Sequence, residues 1–353
     1  MNVLMVGVDS KCVGGMLTVI ENYLNDREFI KKTNMIYIPT VTNSSRIIKA
    51  LFFIKSLIKI IYYIKLKKID IIHIHMAEKG SVFREGIIVI VGKMFGCKIM
   101  IHMHGAMIED WYLKQSVCIQ NIINRIFENA DKILVLGKKW SEFFEKIVRD
   151  KAKIQVLYNA VKVPEENRYN NSAKQIIFLG LLLKRKGIDD FLQAAQNIKG
   201  KFKAPIKIKL YGIDIEGNIN EKIKKFQLDD LVEYCGWLTE EKKEWCFSNT
   251  LINVLPSYNE GLPMTILETM SYGIPNITTK IAAIPEAIRN EEDGVLISPG
   301  DVEALSCEIL KMVCNSEMRQ KYSENAYRRM KNEFDIKQHI DKLYSIYLNL
   351  LKE

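Results

Sequence analysis

The sequence lacks several features that would place it in other classes of protein. No run of about 18 apolar residues is free of charge, which argues against a transmembrane helix. The N-terminus has neither a charged start nor a small-residue cleavage site, so we expect no signal peptide. The cysteines number seven, are scattered and are never spaced C-x-x-C, which predicts reduced thiols and a cytoplasmic location.

Signatures of nucleic-acid binding and of the common phosphate loops are also missing. We find no zinc finger, no RNP-like aromatic motif and no helix-turn-helix pattern, so we expect no nucleic-acid partner. The glycines near the N-terminus fit neither G-x-G-x-x-G nor a Walker A loop, which excludes a dinucleotide fingerprint and a P-loop. The net charge of +9 still indicates an anionic partner, such as phosphates or an anionic membrane.

The order of apolar segments predicts the fold class. The chain has 353 residues, 48% of them apolar, which is enough for two cores. Short β-branched runs alternate with longer segments of helical period, and the series restarts after the polar stretch 165–174. Predicted strands lie at 2–8, 34–39, 70–75, 98–104, 132–136, 154–158, 175–180, 206–211, 232–236, 252–256, 276–279 and 294–298.

Continuous apolar strands separated by helices indicate parallel sheets covered on both faces. We therefore predict an α/β fold of two doubly wound, Rossmann-like domains that face each other across a cleft. The predicted domains are 1–165 and 166–330, followed by a C-terminal helix over 331–353 that packs back toward the first domain. Ligands of such sheets bind at the carboxyl ends of the strands, so functional residues are expected just after strands.

One predicted helix, over residues 45–68, differs from the rest because six lysines are set into a strongly apolar segment. Its apolar residues recur at helical spacing, and such a helix can lie on an anionic membrane surface. The alternative is an ordinary packing helix whose lysines extend their charged ends to water.

The stretch LPSYNEGLPMTILETMSYGIP, residues 255–275, carries the clearest chemistry. Pro263 suits the first turn of a helix that follows a strand, and Gly273 suits its end. The start of this helix favours an anion such as a diphosphate. Glu260 lies just before the helix and Glu268 in its second turn, where they can meet hydroxyl groups of a sugar and of a ribose.

This stretch, with IPEAI and DGVLISPGD after it, resembles the E-x7-E motif of the family 4 retaining glycosyltransferases, which have the GT-B fold. The resemblance covers most of the chain and is best from 175 to 330. It implies that Glu260 contacts the donor sugar and Glu268 the nucleotide ribose, with Gly261 and Leu262 also binding the donor.

Two further segments match donor-binding parts of the family. In FLGLLLKRKGIDDFLQAA, residues 178–195, Lys186 stands where the family has a lysine, but Leu181 replaces the usual arginine. Arg185 is the candidate substitute for the missing phosphate contact. Near the N-terminus, Gly14 and Gly15 open a helix, and the resemblance implies that this glycine pair approaches the donor.

The chain has five histidines, four of them in two H-x-H pairs. His73 and His75 form the first pair, and His102 and His104 the second; residues two apart on a strand face the same side, so a pair could ligate a metal. Such a site needs further ligands at later strand ends, and only His339 remains, in a helical region. We therefore predict no metal site and expect the other histidines to be hydrogen-bonded core residues. The resemblance implies that His104, in the sequence HG, supports the transferred sugar.

The resemblance implies a retaining hexosyl- or N-acetylhexosaminyltransferase that uses a nucleotide-diphosphate sugar, with a UDP-sugar favoured over a GDP-sugar. No D-x-D motif is present, so no cofactor and no catalytic divalent metal are expected. The expected acceptor is a glycan or an undecaprenyl-diphosphate-linked glycan, in the synthesis of capsule, exopolysaccharide or O-antigen (lipopolysaccharide) by an enzyme peripheral to the inner face of the plasma membrane.

Two alternatives stay open. A non-catalytic sugar-nucleotide-binding protein would bind the donor without turnover. A metal-dependent hydrolase would use the H-x-H pairs and hold zinc.

Overall fold

The structure, a computed structural model, describes residues 1–12, 14–202 and 204–352. The chain forms two compact units. The first contains Met1–Asn159 together with Ile336–Glu353, and the second contains Ala160–Asp335. The predicted boundary at 165 thus lies six residues after the observed one (165 − 159), and the C-terminal segment belongs to the first unit.

The first unit is built on a parallel sheet of six strands in the order β2-β1-β3-β4-β5-β6. The strands are β1 Val3–Val8, β2 Ile36–Val41, β3 Ile71–Met76, β4 Lys98–Met103, β5 Lys132–Val135 and β6 Ile154–Val156. The helices are α1 Gly15–Leu24, α2 Arg27–Thr33, α3 Arg46–Lys67, α4 Gly80–Met94, α5 Ile108–Leu113, α6 Val117–Glu128, α7 Lys138–Ile147 and, from the C-terminal segment, α15 Ile336–Leu350.

The second unit repeats this architecture with the strand order β12-β11-β10-β7-β8-β9. Its strands are β7 Gln175–Leu179, β8 Lys207–Tyr211, β9 Val232–Gly236, β10 Thr250–Leu255, β11 Asn276–Thr279 and β12 Gly294–Ile297. Its helices are α8 Ile188–Ile198, α9 Ile219–Lys225, α10 Glu240–Ser248, α11 Met264–Ser271, α12 Ile284–Ala287, α13 Val302–Cys314 and α14 Ser316–Glu333.

The α/β class and both parallel sheets are confirmed. Each predicted strand corresponds to an observed one, with ends that agree within two residues. The prediction succeeds because β3, β7 and β10 are mostly apolar runs whose residues are all buried, as is typical of parallel strands between two helical layers. The helix predicted over 45–68 is α3, Arg46–Lys67.

Helix ends also follow local sequence chemistry. Asp301, the N-cap of α13, accepts a hydrogen bond on Oδ1 from the backbone N–H of Ala304 at 2.9 Å. Gly273 follows α11 with a φ of +72°, the left-handed conformation that glycine adopts without strain.

Candidate functional site

In each sheet the strand order reverses at one point, and this point locates the crevice in which doubly wound folds bind ligands. In the second unit the reversal lies between β7 and β10, which are hydrogen-bonded neighbours. The loop after β7 contains Arg185 and Lys186, and the loop after β10 contains Glu260. Topology alone therefore brings the predicted phosphate-binding and sugar-binding residues of this unit to one edge.

The two loops touch closely, and a glycine makes this contact feasible. Gly187 ends the short 3-10 helix Lys184–Lys186 with a φ of +74°. A Cβ at this position would lie 2.1 Å from the carbonyl oxygen of Pro256, so no other residue fits without moving the loop. The backbone N–H of Tyr258 also donates to the carbonyl oxygen of Arg185 at 2.9 Å.

Lys186 and Glu260 form an ion pair at this crevice. Nζ of Lys186 lies 2.5 Å from Oε1 of Glu260, and the hydroxyl of Ser257 donates to the same oxygen at 2.7 Å. The two side chains are only 13% and 6% exposed. Removing two charges from water costs about as much as their attraction returns, so such a pair is a weak source of stability. Its place at the switch point favours a role toward a charged ligand.

Arg185 reaches the same loop by another route. One of its guanidinium nitrogens donates to the carbonyl oxygen of Asn259 at 2.7 Å, next to Glu260. Leu181, where the family has an arginine, is half-buried and brings no charge. A second cation thus stands beside the Lys186–Glu260 pair, although it comes from a different position in the loop.

Glu268, in α11, pairs with a lysine that the sequence analysis did not single out. Nζ of Lys243, from α10, lies 3.0 Å from Oε1 of Glu268 and 2.6 Å from Oε1 of Glu240. Burial raises the pKa of Glu268, and the charge of Lys243 opposes that rise. Glu268 is therefore a nearly buried carboxylate, on the helix that follows the Glu260 loop, with an oxygen that can accept a hydrogen bond.

The other predicted donor-binding residues lie in the loops that precede α11 and α1. Gly261 accepts a backbone hydrogen bond from Ala283 at 3.4 Å, and the side chain of Leu262 is 2% exposed. Gly14 is exposed with a φ of +139°, and a Cβ there would meet no atom within 4 Å. Gly15, also exposed, is the first residue of α1.

The first unit places all the histidines of the chain in one cluster. His75 and His102 are register partners on β3 and β4, and their ring centroids are 5.3 Å apart. His73 stacks on His75 at 4.6 Å, and His102 lies 4.4 Å from His104. His339, from α15, lies 5.5 Å from the ring of Tyr23 in α1, which is itself 6.2 Å from His73.

Burial keeps these imidazoles neutral. It lowers the pKa of His73 and of His104 to about 3, and the pKa of His339 to about 4. It also lowers the pKa of His75 and His102 well below the usual value. A neutral imidazole keeps a lone pair on one ring nitrogen, so each can accept a hydrogen bond or bind a metal.

His104 lies where the sequence placed it, just beyond β4. Its Nε2 lies 2.8 Å from Nδ1 of His75, and its backbone N–H donates to the carbonyl oxygen of Met76. Gly105 must follow it, because a Cβ there would lie 2.7 Å from the backbone nitrogen of Glu78. The half-buried His104 is therefore tied to His75 of the first H-x-H pair, on the neighbouring strand β3, by one imidazole contact.

The expectation that the chain has no metal site stays a prediction, although three of its histidines lie close together. One ring nitrogen from each of His73, His75 and His102 lies within 4.8 Å of the other two. His339, set aside because it is helical, also joins the cluster, because α15 belongs to the first unit. The sequence predicted a C-terminal helix beside the first domain, but no local pattern indicated its contact with β3.

Three functional side chains escaped the sequence analysis. Ser257 lies within the quoted motif, three residues before Glu260, and this spacing could have predicted a hydrogen bond between the two side chains. Lys243 lies in a lysine-rich helix with no distinguishing pattern. Tyr347 bonds His73 across 274 positions of sequence, and no local pattern reports such a contact.

Comparison with known proteins agrees with this geometry. Residues 162–329, nearly the whole of the second unit, match the family described as Glycosyl transferases group 1. The chain is 25% identical over 354 residues to the UDP-Gal:alpha-D-GlcNAc-diphosphoundecaprenol alpha-1,3-galactosyltransferase of Escherichia coli, covering 94% of this chain and 87% of that protein. It is 23% identical over 245 residues to a capsular polysaccharide biosynthesis glycosyltransferase of Staphylococcus aureus, covering 68% and 60% of the two chains.

The fold has a full-length counterpart among solved structures. Sucrose-phosphate synthase from Thermosynechococcus elongatus superposes with a TM-score of 0.82 at 15% identity, over 100% of both chains. The predicted GT-B fold is thereby confirmed. The family match and the relatives lead to one conclusion: this chain is a glycosyltransferase whose residues 162–329 match the group 1 glycosyltransferases.

Proposed function

We propose that this glycosyltransferase moves a hexosyl or N-acetylhexosaminyl group, with retention of configuration, from a UDP-sugar to a lipid-diphosphate-linked glycan in surface polysaccharide synthesis. The observation that carries the proposal is the Lys186–Glu260 pair at the switch point of the second unit. The relative that takes UDP-galactose to a diphosphoundecaprenol acceptor supports both the nucleotide and the acceptor class.

The donor's charged part meets the cations of the β7 loop. Lys186 and Arg185 are held against the loop 256–260 at 2.5 Å and 2.7 Å from their partners, so both ammonium and guanidinium are already placed before a ligand arrives. As the sugar–phosphate bond breaks, charge builds on the departing diphosphate. Fixed cations and the start of α11 stabilise that charge without rearranging.

Two carboxylates bind the uncharged parts of the donor, one the ribose and the other the transferred sugar. Glu268 accepts hydrogen bonds from the ribose hydroxyls, and its partner Lys243 keeps it ionised despite burial. Glu260 contacts the transferred sugar, whose ring carries positive charge in the transition state. The carboxylate of Glu260, held in place by Lys186 and Ser257, stabilises that positive charge.

For His104, in the first unit, we propose support of the transferred sugar as a neutral imidazole, since burial lowers its pKa to about 3. It acts as a hydrogen-bonding group rather than as a cation. The acceptor hydroxyl loses its proton to the departing phosphate, on the same face of the sugar, which accounts for retention. No D-x-D motif occurs in the sequence, and the cations at the switch point take the role toward the diphosphate that a divalent ion would otherwise have.

The test is nucleotide release from a panel of UDP-, GDP-, ADP- and CMP-sugars with a membrane extract as acceptor. We expect acceptor-dependent release from one UDP-sugar, lost in Glu260→Ala and in His104→Ala. Asp230→Ala, which breaks an exposed ion pair with Lys199 in the same unit, is the matched control and retains activity. Donor binding without turnover under every condition, with variants equal to wild type, would mean a sugar-nucleotide-binding protein instead.

The acceptor's lipid calls for contact with a membrane, and α3 offers a surface for it. Among the described residues, no helix combines the length and apolarity needed to cross a bilayer. Only Ser56, Ile60 and Ile64 of α3 are buried. Large apolar side chains on its outer surface are exposed, namely Ile47, Ile48, Leu51, Ile54, Ile58, Tyr62 and Leu66.

Lysines stand among these apolar residues, at positions 49, 55, 59, 65, 67 and 68. An apolar face with basic residues around it matches the headgroup region of an anionic bilayer, which takes apolar side chains and attracts lysines. We therefore propose that the enzyme works peripherally at the cytoplasmic face of the plasma membrane and docks through α3.

Co-sedimentation with vesicles tests this docking. We expect binding to phosphatidylglycerol-containing vesicles and little binding to pure phosphatidylcholine. The double variant Lys55→Glu and Lys59→Glu should weaken binding at least about 10-fold, since each lysine near the surface contributes about 1 kcal/mol. The double variant Lys224→Glu and Lys321→Glu, at two exposed lysines of the second unit, is the charge-matched control. Equal binding by all three proteins would exclude α3 as the docking surface.

A further inference from the structure

The histidine cluster of the first unit contains polar atoms that neither the transferase reaction nor the core explains. His73, His75 and His102 are at most 1% exposed. Four of their six ring nitrogens have no hydrogen-bond partner among the described residues: Nε2 of His73, Nε2 of His75, and both nitrogens of His102. A buried polar atom without a partner costs free energy, so a native protein needs a reason for each one.

The positions of these nitrogens suggest the reason. One ring nitrogen of each histidine lies within 4.8 Å of one from each of the others. Nitrogens bound to one tetrahedral ion lie about 3.4 Å apart, since each is about 2.1 Å from the metal. Small rotations of the rings would therefore bring all three to a common centre.

The remaining ring nitrogens of two of these histidines are held by other groups. Nδ1 of His73 lies 2.6 Å from the hydroxyl of Tyr347, and Nδ1 of His75 lies 2.8 Å from Nε2 of His104. Metal-bound histidines commonly bond through their second nitrogen in this way, which fixes the tautomer and the ring orientation. When Nδ1 carries the proton and donates it to this partner, Nε2 keeps its lone pair for a metal.

We propose that His73, His75 and His102 form a buried site for a divalent transition-metal ion of the Zn²⁺ class. The group contains no thiolate and no carboxylate, a ligand set that suits Zn²⁺ and its neighbours rather than Mg²⁺ or Ca²⁺. Three neutral imidazoles supply three of the four positions around a tetrahedral ion. The ion lies within the core of the first unit and is structural.

The site also reaches the transferase chemistry indirectly. His75 is a ligand through Nε2 and a hydrogen-bonding partner of His104 through Nδ1. With a metal on Nε2, the proton of His75 must reside on Nδ1, and it is donated to Nε2 of His104. The metal thereby fixes one tautomer of His104, which is a positioning effect. Metal binding itself does not require transferase activity.

The experiment uses tag-free, full-length protein purified without chelator. Elemental analysis should find about one transition-metal ion per chain. After removal with a chelator, added Co²⁺ should give the intense visible bands of a tetrahedral centre, and Zn²⁺ should displace them. Zn²⁺ at a hundredfold excess over its Kd should raise Tm by about 5 to 10 °C.

Three variants assign the ligands. His102→Asn should abolish the Co²⁺ bands and the Tm response. Tyr347→Phe removes only the hydroxyl that bonds His73 and should lower Zn²⁺ affinity about 10-fold. His339→Gln is the matched control, since it alters a buried histidine of the same cluster whose Nε2 lies 2.6 Å from the hydroxyl of Tyr23, and it should bind as wild type does.

Wild-type protein without tetrahedral Co²⁺ bands and without a Tm response overturns the proposal. Substoichiometric binding that persists in His102→Asn overturns it as well, because the metal is then an adventitious ion only. If His102→Asn does not fold, the wild-type spectrum and Tyr347→Phe still decide. All readouts are independent of turnover, so failure of the metal site and failure of the transferase assignment can be told apart.

Discussion

The two units share one architecture but place different chemistry at the carboxyl side of their sheets. The second unit has charged groups there, and each is paired: Lys186 with Glu260, and Lys243 with Glu268. The first unit has neutral imidazoles on β3 and β4, several of whose nitrogens have no partner among the described residues. Paired charges are ready to exchange partners with a charged substrate. Buried neutral ring nitrogens without a partner instead require a ligand that binds them.

The difference shows that fold does not decide the chemistry of a doubly wound domain. Both sheets have their switch point beside the first strand, between β1 and β3 in one and β7 and β10 in the other. What differs is the side chains that follow those strands. The comparison can be tested by removing a charge from one unit and an imidazole from the other.

The largest effect is expected at the ion pair of the second unit. Glu260→Ala should lower kcat by about 10³-fold, the size seen when one preorganised electrostatic group is removed from a transition state. Lys186→Ala should have a comparable effect, and the double variant should lose much less than the product, because each single change leaves one buried charge alone. Single-turnover kinetics with a UDP-sugar donor measures all three.

Glu260→Gln separates geometry from charge, because the amide keeps a hydrogen bond from Ser257. Thermal unfolding of each variant shows whether the protein is still folded. If Glu260→Ala kept the kcat of the wild type, Glu260 would have no role in the reaction. The contrast between a charged catalytic site in the second unit and neutral imidazoles in the first would then not hold.

A neutral imidazole should produce an effect of intermediate size, on stability rather than on catalysis. Burial lowers the pKa of His339 to about 4, whereas an unfolded histidine titrates near 6.5. Below about pH 6.5 the unfolded state therefore binds a proton that the folded state refuses. His339 contributes its full stability above that pH, and about 3 kcal/mol of this is lost by pH 4.

His339→Gln should flatten this part of the pH profile while keeping a hydrogen bond to Tyr23. Urea unfolding at pH 7, 5.5 and 4, with chelator present, measures the difference. Parallel profiles for wild type and variant would show that His339 is protonated in the folded protein.

The smallest effect is expected at Glu268. Glu268→Gln removes a charge but keeps a hydrogen-bonding oxygen for the ribose, so KM for the donor should rise about 10-fold with kcat little changed. Steady-state kinetics over a range of donor concentrations resolves the two constants. Lys243→Met serves as the companion variant, since it leaves Glu268 buried without its cation. A fall in kcat at unchanged KM would instead place Glu268 in the chemical step.

The sequence predicted what depends on local pattern. Apolar runs such as Ile71–Met76 specify buried parallel strands, and their order predicts that Lys186 and Glu260 share an edge. The site roles given to these residues, and to His104 and Glu268, stay predictions. The sequence did not reveal the Lys243–Glu268 pair, because a surface-like lysine in a helix carries no sign of its partner.

The histidine cluster shows the limit most clearly. The H-x-H spacing predicted that His73 and His75 face one side, but the contact with Tyr347 spans 274 positions. Such contacts arise from the packing of α15 within the first unit. This packing is tertiary structure, and no local sequence pattern predicts it. The expectation of no metal site rested on the lack of later ligands, whereas the three close histidines all lie on the neighbouring strands β3 and β4.

The placement of α15 has a further consequence for how the chain is made. Ribosomes synthesise proteins at about 5 to 20 residues per second, so the 176 residues of the second unit (335 − 160 + 1) take roughly 10 to 35 s. Throughout that interval β3 and β4 exist without His339 and Tyr347, which emerge last. The imidazoles are then open to the surrounding solution, and a metal ion of the proposed kind can reach them before α15 is in place.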